Sequence, residues 1–349
     1  MIKIFSDTKI AELLGLLNTS KKIAIVTHVN PDGDAIGSVI GWSNFLRERG
    51  FRSVIIVPNH FPDFLKWING TENIYVCFNQ KDTCVRLLKE ADLLFCLDFN
   101  KLSRLDAMGE FIMTLDIKKV LIDHHIGVAE KDFTLMFSKT PMSSTCEIVY
   151  RIIWQITKEK SVSPQIAEAL YAGIMTDTGA FTHSCSSELF HIVADLMECG
   201  INREKIHSAV YNSFSVNRMR LMGYCITKME VLPEYRTAYI TLTKEELERF
   251  EFEPGDTEGF VNIPLSIKNV MLSVFFTESK EGYIKLSLRS VGEFSVDEMA
   301  RKYFNGGGHK NASGGKSFAS LDETVEFFKS ILPEYPELKN LSYLCTLKI

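Results

Sequence analysis

Residues 120–125 read Val-Leu-Ile-Asp-His-His, and no other stretch constrains the fold of this chain as tightly. The apolar run, with two β-branched residues, has the character of a buried strand. The carboxylate and two adjacent imidazoles that follow would be costly inside a hydrophobic core, so they belong where the strand emerges. A pair of surface histidines on a loop would explain an isolated case, but the pattern recurs. Lys22 to Thr27 is another apolar strand, running into His28-Val29-Asn30-Pro31-Asp32-Gly33-Asp34; Leu93 to Leu97 is a third, ending in Asp98; and Tyr171 to Met175 leads into Thr176-Asp177-Thr178-Gly179. In an open α/β sheet, sites form outside the carboxyl ends of the strands, so these clusters are expected to converge. A metal would reconcile so many carboxylates and imidazoles in one place.

Taken in this order, the segments resemble the DHH phosphoesterases, whose defining triplet here is Asp123-His124-His125. The likeness includes the first motif, His28 to Ser38, the single Asp98, and Thr176 to Gly179. It continues into Gly306-Gly307-Gly308-His309-Lys310-Asn311-Ala312-Ser313-Gly314-Gly315, which is similar to the signature of the family's associated C-terminal domain, and the Gly259 to Pro264 loop is also of this kind. Nearly the whole chain is covered. Within the family, this two-domain form is most similar to the bacterial nano-RNase and 3'-phosphoadenosine-5'-phosphate phosphatase group. The resemblance implies two divalent ions, one held by His28, Asp32 and Asp98 and the other by Asp34, Asp98, His124 and Asp177, with Asp98 as the bridge. It also implies that Asp123 orients an imidazole and that His125 touches the substrate phosphate. Arg289, Gly306, Gly307, Gly308 and His309 would bind the nucleotide's distal phosphate or base across an interdomain cleft. One departure is visible: after His125 the chain reads Ile126-Gly127-Val128-Ala129, where related members often carry an asparagine, so no polar substrate contact is counted on from this turn.

The residues support that chemistry on their own terms. Phosphate ester hydrolysis needs an activated water, neutralised phosphoryl oxygens and help for the leaving group, and a closely spaced metal pair supplies all three. Mixed imidazole and carboxylate ligands favour a transition metal over magnesium, and manganese is the first choice. Three consecutive glycines can present backbone N–H groups as an anion-binding nest, to which His309 and Lys310 add donors, while Arg289 could fork onto a phosphate. The plainer alternative is a glycine run needed only for a sharp turn.

At 349 residues the chain is long enough for two domains, each with its own core. The expected architecture is α/β: a parallel-sheet domain over 1–190, a helical connector over 191–230, and a smaller mixed α/β domain over 231–349. A net charge of -5 argues against holding long nucleic acid, which rests on many lysine and arginine contacts, but leaves a short RNA or small nucleotide open. The eight cysteines show no CxxC spacing and read as reduced thiols. No apolar run approaches the roughly 18 residues that span a bilayer, and the N-terminus lacks a signal-peptide core, so a cytoplasmic location and no membrane partner are expected. A homodimer is compatible with the sequence.

The functional expectation is a manganese-dependent phosphoesterase acting on short oligoribonucleotides (nanoRNA) and 3'-phosphoadenosine-5'-phosphate. The nearest alternatives are a linear or cyclic dinucleotide phosphodiesterase (pApA or cyclic di-AMP) and an exopolyphosphatase-like phosphohydrolase, which would use the same metals. A processive exonuclease on long strands would need a basic channel that the acidic balance does not provide. From another class, a catalytically silent nucleotide-binding regulator would not need the complete ligand set.

Overall fold

Apolar runs at Ile23–Val26 (β1), Leu93–Leu97 (β4) and Lys118–Asp123 (β5) lie side by side as the centre of a parallel sheet. The computed structural model describes residues 3–339. Residues 1, 2 and 340–349, and with them the outer limits of the two expected domains, lie outside the described residues. The chain divides into two compact units, one ending at Ser213 and the other starting at Phe214.

The first unit is built on the strand order β3-β2-β1-β4-β5-β6, all parallel, with β2 at Ser53–Val57, β3 at Ile74–Val76 and β6 at Leu135–Ser138. The winding reverses between β1 and β4, which makes their carboxyl ends the switch point where ligands bind in such sheets. Every residue of β1 and β4 is buried, as strands covered on both faces require. Helices α1 (Asp7–Thr19), α2 (Gly33–Glu48), α5 (Thr145–Thr157) and α6 (Pro164–Asp177) share one core with the sheet. Helices α3 (Cys77–Glu90) and α4 (Ala107–Met113) contribute Cys84, Leu88, Met108 and Ile112 to a second apolar cluster with β1, β4 and β5.

The α2–α6 contact sets the spacing of the site. A Cβ added to Gly37 would lie 2.5 Å from the carbonyl oxygen of Ala169, and one on Gly33 would lie 2.3 Å from Thr176 Oγ1. Glycine is therefore required here for close approach of two helices, and the approach draws the C-terminus of α6 to the N-terminus of α2.

The separate connector expected over 191–230 is not present as such. Helices α7 (Ser187–Glu198) and α8 (Arg203–Tyr211) bury Leu189, Ile192, Leu196, Ile206 and Val210 in the core of the first unit. Helix α9 (Val216–Lys228) instead packs Leu221 and Cys225 with Ile240 and Leu242 of the second. Helical periodicity identifies the helices, but the core that each joins depends on tertiary packing.

The second unit carries a mixed sheet in the order β11-β12-β10-β9-β8-β7, in which β8 and β9 are parallel and the other neighbours antiparallel. Its strands are Glu230–Leu232 (β7), Thr237–Leu242 (β8), Leu272–Glu278 (β9), Ile284–Ser290 (β10), Gly307–His309 (β11) and Ala312–Ser317 (β12). Helix α10 (Lys244–Arg249) follows β8, and α11 (Val296–Tyr303) and α12 (Leu321–Ile331) pack on one face through Met299, Phe304 and Phe328. The glycine run is thus an edge strand in a hairpin, which corrects the open nest. The Gly306 N–H donates to the Ala300 carbonyl (3.1 Å) and the Gly308 N–H to Asp297 Oδ1 (2.7 Å), so both are already engaged. Gly306 lies so close to β12 that a Cβ there would meet the Gly314 carbonyl oxygen at 1.9 Å.

Among the described residues all cysteines are free, and no helix is long and apolar enough to cross a membrane.

Candidate metal centre

His28 follows β1, Asp98 follows β4, and Asp123 ends β5 with His124 and His125 next in the chain. Asp32 caps α2, its Oδ1 accepting from the N–H groups of Asp34 (3.1 Å) and Ala35 (3.0 Å), which places Asp34 in the first turn. Asp177 is the last residue of α6. Asp98 turns the chain sharply, with φ at 66°, a left-handed conformation that costs a non-glycine residue about 1 kcal/mol. Its N–H stays bonded to the Ile122 carbonyl (3.0 Å), which fixes its position against β5.

These residues meet in three groups, one of them Asp98, Asp123 and His125. Ligand atoms of His28, Asp32 and Asp98 lie within 4.8 Å of one another, as do those of Asp34, His124 and Asp177. Asp98 joins the groups, because its Oδ2 is 3.4 Å from His28 Nε2 and its Oδ1 is 3.6 Å from His124 Nε2. His124 Nε2 is also 3.3 Å from Asp177 Oδ2 and 3.8 Å from Asp34 Oδ2. Each imidazole is oriented from behind: His28 Nδ1 lies 2.9 Å from the Val29 carbonyl and His124 Nδ1 3.2 Å from that of Met142. With Nδ1–H donating to a carbonyl, Nε2 presents its lone pair to the carboxylates, the tautomer that a metal ligand needs.

No lysine or arginine forms an ion pair with Asp32, Asp34, Asp98 or Asp123 among the described residues, whose ionic contacts are all to histidines. A buried cluster of this charge needs a cation, and this donor set fits divalent metal. The electrostatics agree. Burial, then the carboxylates of Asp34, Asp32, Asp177 and Asp123, push Asp98 well above the usual carboxylate range. For His124, burial alone would favour the neutral ring, but Asp177 and Asp34 outweigh it and raise its proton affinity. Burial lowers that of His28. Protons are therefore favoured at Asp98 and His124 in the metal-free site, and metal must displace them to free the Nε2 lone pair, so metal affinity is expected to rise with pH. Calorimetric titration in buffers of different ionisation enthalpy should show proton release; metal uptake without release would contradict this account.

Asp123 is fully buried, its Oδ1 2.7 Å from His125 Nδ1 and its Oδ2 without a hydrogen-bond partner. Sequence reasoning missed Thr145. Its N–H donates to Asp34 Oδ2 (2.6 Å), its hydroxyl to Asp98 Oδ1 (2.8 Å), and the Cys146 N–H to Asp34 Oδ1 (2.9 Å). The N-terminus of α5 thus holds Asp34 with two oriented N–H groups and its dipole, and Asp98 with a hydroxyl. That turn is itself braced. Glu147 accepts from Ser143 and from the buried Arg151, which also pairs with Glu188 (3.0 Å). The signal is the Ser-Ser-Thr run that opens a helix after the triplet, where a threonine reads as part of a cap. Thr145→Val, which keeps the shape and removes the hydroxyl, should weaken metal binding about 10- to 100-fold, as other losses around metal ligands do. Metal titration of the variant checks this; unchanged affinity would remove Thr145 from the site.

Asn100 was missed as well. Its Nδ2 donates to the Ile126 carbonyl (2.6 Å) and its carbonyl accepts from the Ala129 N–H (2.9 Å), so it secures the turn that follows the two histidines.

Comparison with known proteins finds matches to both units. The model for the N-terminal domain of the DHH family matches residues 22–174, and the model for the DHHA1 domain matches residues 235–334. A crystal structure of an exopolyphosphatase-related protein from Bacteroides fragilis is 43% identical, with a TM-score of 0.91, over 97% of this chain and 100% of that one.

The chain belongs to the DHH family.

Among the relatives that carry functional names are two NrnA proteins. The probable bifunctional oligoribonuclease and PAP phosphatase NrnA of Streptococcus mutans is 27% identical over 96% of this chain and 99% of that protein. The bifunctional oligoribonuclease and PAP phosphatase NrnA of Bacillus subtilis is 28% identical over 89% and 94%. The DHH residues Asp123, His124 and His125 all stand in the candidate metal centre, and the DHHA1 match spans Arg289 and the glycine hairpin.

Proposed function

We propose that this chain is a phosphoesterase that uses two divalent ions, manganese foremost, to hydrolyse short oligoribonucleotides and 3'-phosphoadenosine-5'-phosphate. The observation that carries the reading is Asp98, whose two oxygens face different imidazoles, an arrangement suited to one carboxylate serving two cations. His28, Asp32 and Asp98 would hold one ion, and Asp34, Asp98, His124 and Asp177 the other. When bound, such a pair neutralises the phosphoryl oxygens and lowers the pKa of water. Manganese suits this set because imidazole nitrogen and carboxylate oxygen share it.

The chain's own groups do the rest. Asp123 holds His125 through Nδ1, leaving the far side of the ring for the substrate phosphate. In the second unit, Arg289 at the end of β10 and His309 on β11 would take the nucleotide's other phosphate or its base, with Gly306, Gly307 and Gly308 giving a backbone floor without side chains. The substrate class is supported by two relatives, matched over nearly their full length, that are named for oligoribonuclease and PAP phosphatase activity.

A second reading, polyphosphate hydrolysis, is favoured by the name of the 43% identical relative. A panel separates the two: 5'-phosphorylated RNA dinucleotide, 3'-phosphoadenosine-5'-phosphate, cyclic di-AMP and polyphosphate, each with manganese and with chelator. Turnover of the first two, abolished by chelation, is expected. Turnover of polyphosphate alone would overturn the nucleotide reading, and preference for cyclic di-AMP would assign the enzyme to dinucleotide signalling.

A further inference from the structure

In the sheet of the second unit, Leu286 and Leu288 of β10 point to the face that α11 and α12 cover. Side chains alternate along a strand, so Lys285, Ser287 and Arg289 stand on the other face. Over β8 and β9 that other face is covered too: Leu221 and Cys225 of α9, with Phe260 of the 3₁₀ segment Phe260–Ser266, pack on Ile240, Leu242 and Phe275. From β10 outward it is open, and Lys285, Gly314 and Lys316 are all exposed.

Two features of this open strip point to a ligand. The first is its charge. Lys285 of β10 and Lys316 of β12 are direct cross-strand partners, a placement in which like charges destabilise a sheet. Neither lysine forms an ion pair among the described residues. Desolvation lowers the proton affinity of the Lys285 amine, Glu258 opposes that change, and the charges of Arg289 and Lys316 add to it. Three cations thus act on one another here, and a polyanion laid along the strip would relieve their repulsion. The second feature is an aromatic pair at the end of the same strip. Tyr283 stands two residues before Lys285 and Phe318 two after Lys316, and their ring centroids are 6.4 Å apart. The Lys316 amine lies 4.6 Å from the centroid of the Tyr283 ring, which places the aromatic pair beside the lysines. Phe318 is 75% exposed, so its ring is open to stacking. Between the lysines and Arg289 the floor is low, because Gly314 and Ala312 are the partners of Ser287 and Arg289. Single-stranded nucleic acids are held by this combination, with phosphates on cations and bases on neighbouring rings.

We propose that the strip carries the downstream nucleotides of a short single-stranded oligoribonucleotide, the Lys285–Lys316 pair taking a backbone phosphate and the Tyr283–Phe318 pair stacking the base beyond it. The proposal rests on the function proposed above, in which Arg289 takes a nearer phosphate. Lys285 lies four residues from Arg289 along β10, or about 14 Å. In 3'-phosphoadenosine-5'-phosphate a single ribose separates the phosphates, which is too short to reach both, whereas an oligonucleotide spans them. The strip therefore distinguishes substrates by length.

The test is calorimetric titration of the manganese-loaded full chain with 5'-phosphorylated oligoadenylates of two to five nucleotides whose bridging 3'-oxygens are replaced by methylene groups, which keeps the charge and blocks hydrolysis. Affinity should rise with length. Lys285→Gln/Lys316→Gln should remove most of that rise and flatten the slope of log K against log salt for the pentanucleotide by about 0.7, the value for one phosphate contact on a single strand. Phe318→Ala should weaken the pentanucleotide about tenfold more than the dinucleotide. Native-like melting temperatures would establish that these losses are local. Affinity independent of length, or a native rise with length in both variants, would overturn the proposal. Sensitivity to the lysines without sensitivity to Phe318→Ala would mean a polyanion track that reads no base, and would overturn the nucleotide as occupant. Binding is measured without turnover, so failure of the proposed function has its own signature: native, variant-sensitive binding of the long analogue with no hydrolysis of natural RNA.

Discussion

Replacement of Asp98 by asparagine is expected to lower hydrolysis at least a thousandfold, which corresponds to about 4 kcal/mol of transition-state stabilisation. The two oxygens of Asp98 face His28 and His124 separately, so both halves of the site lose an anionic donor at once. The same change should not harm the metal-free fold. Burial and neighbouring carboxylates already favour the protonated form of Asp98, and asparagine resembles that form in shape and charge. The chelated variant should therefore melt no lower than the chelated native protein, whereas the rise in melting temperature that metal gives the native protein should vanish, as ligand linkage requires. Metal content by elemental analysis, read beside the kinetics, checks the assignment. Native kcat with two bound ions would exclude Asp98 as a bridge.

Asp123→Asn is expected to cost about 10²–10⁴ in kcat for a different reason. The buried Asp123 carboxylate lies 2.7 Å from His125 Nδ1, and an amide there can turn its NH₂ toward the ring and select the other tautomer, as happens when a carboxylate–histidine pair is broken in hydrolases. Asp123 shares a possible metal-holding group with Asp98 and His125 but stands in none that contains His28 or His124, so metal content should stay near native. A double-mutant cycle with His125→Ala gives the decisive readout: if Asp123 acts through His125, the double variant should be no slower than His125→Ala alone. Full additivity would mean that the two residues act separately, and parallel loss of metal and melting temperature would make Asp123 a structural support only.

Much of this site was legible because it obeys a rule of position. Apolar runs buried on both faces mark β1, β4 and β5, and the polar residues following such strands have to gather at one end of a parallel sheet. The short strands β3 and β6 escaped notice because each has only a few residues, half of them or more incompletely buried, and so no strong apolar signature. The glycine hairpin misled for a related reason: glycine permits a nest, but it also permits backbone to press on backbone, and only the position of β12 decides between them. Thr145 was hidden by its apparent job. A threonine opening a helix reads as part of a cap, and its bonds to Asp34 and Asp98 span 111 and 47 residues of sequence.

The glycine contact between α2 and α6 has a consequence for which ions the enzyme can accept. Asp34 and Asp177 stand on two helices pressed together, Gly37 against the Ala169 backbone and Gly33 against the Thr176 side chain. An ion such as calcium, which prefers bonds of about 2.3–2.6 Å and a larger shell, gains from spreading its ligands, whereas smaller ions near 2.1 Å do not. Spreading these two carboxylates would mean parting helices that meet backbone to backbone at Gly37. A scaffold this stiff would screen cations by size, and part of any metal selectivity would then reside in residues that never touch the metal.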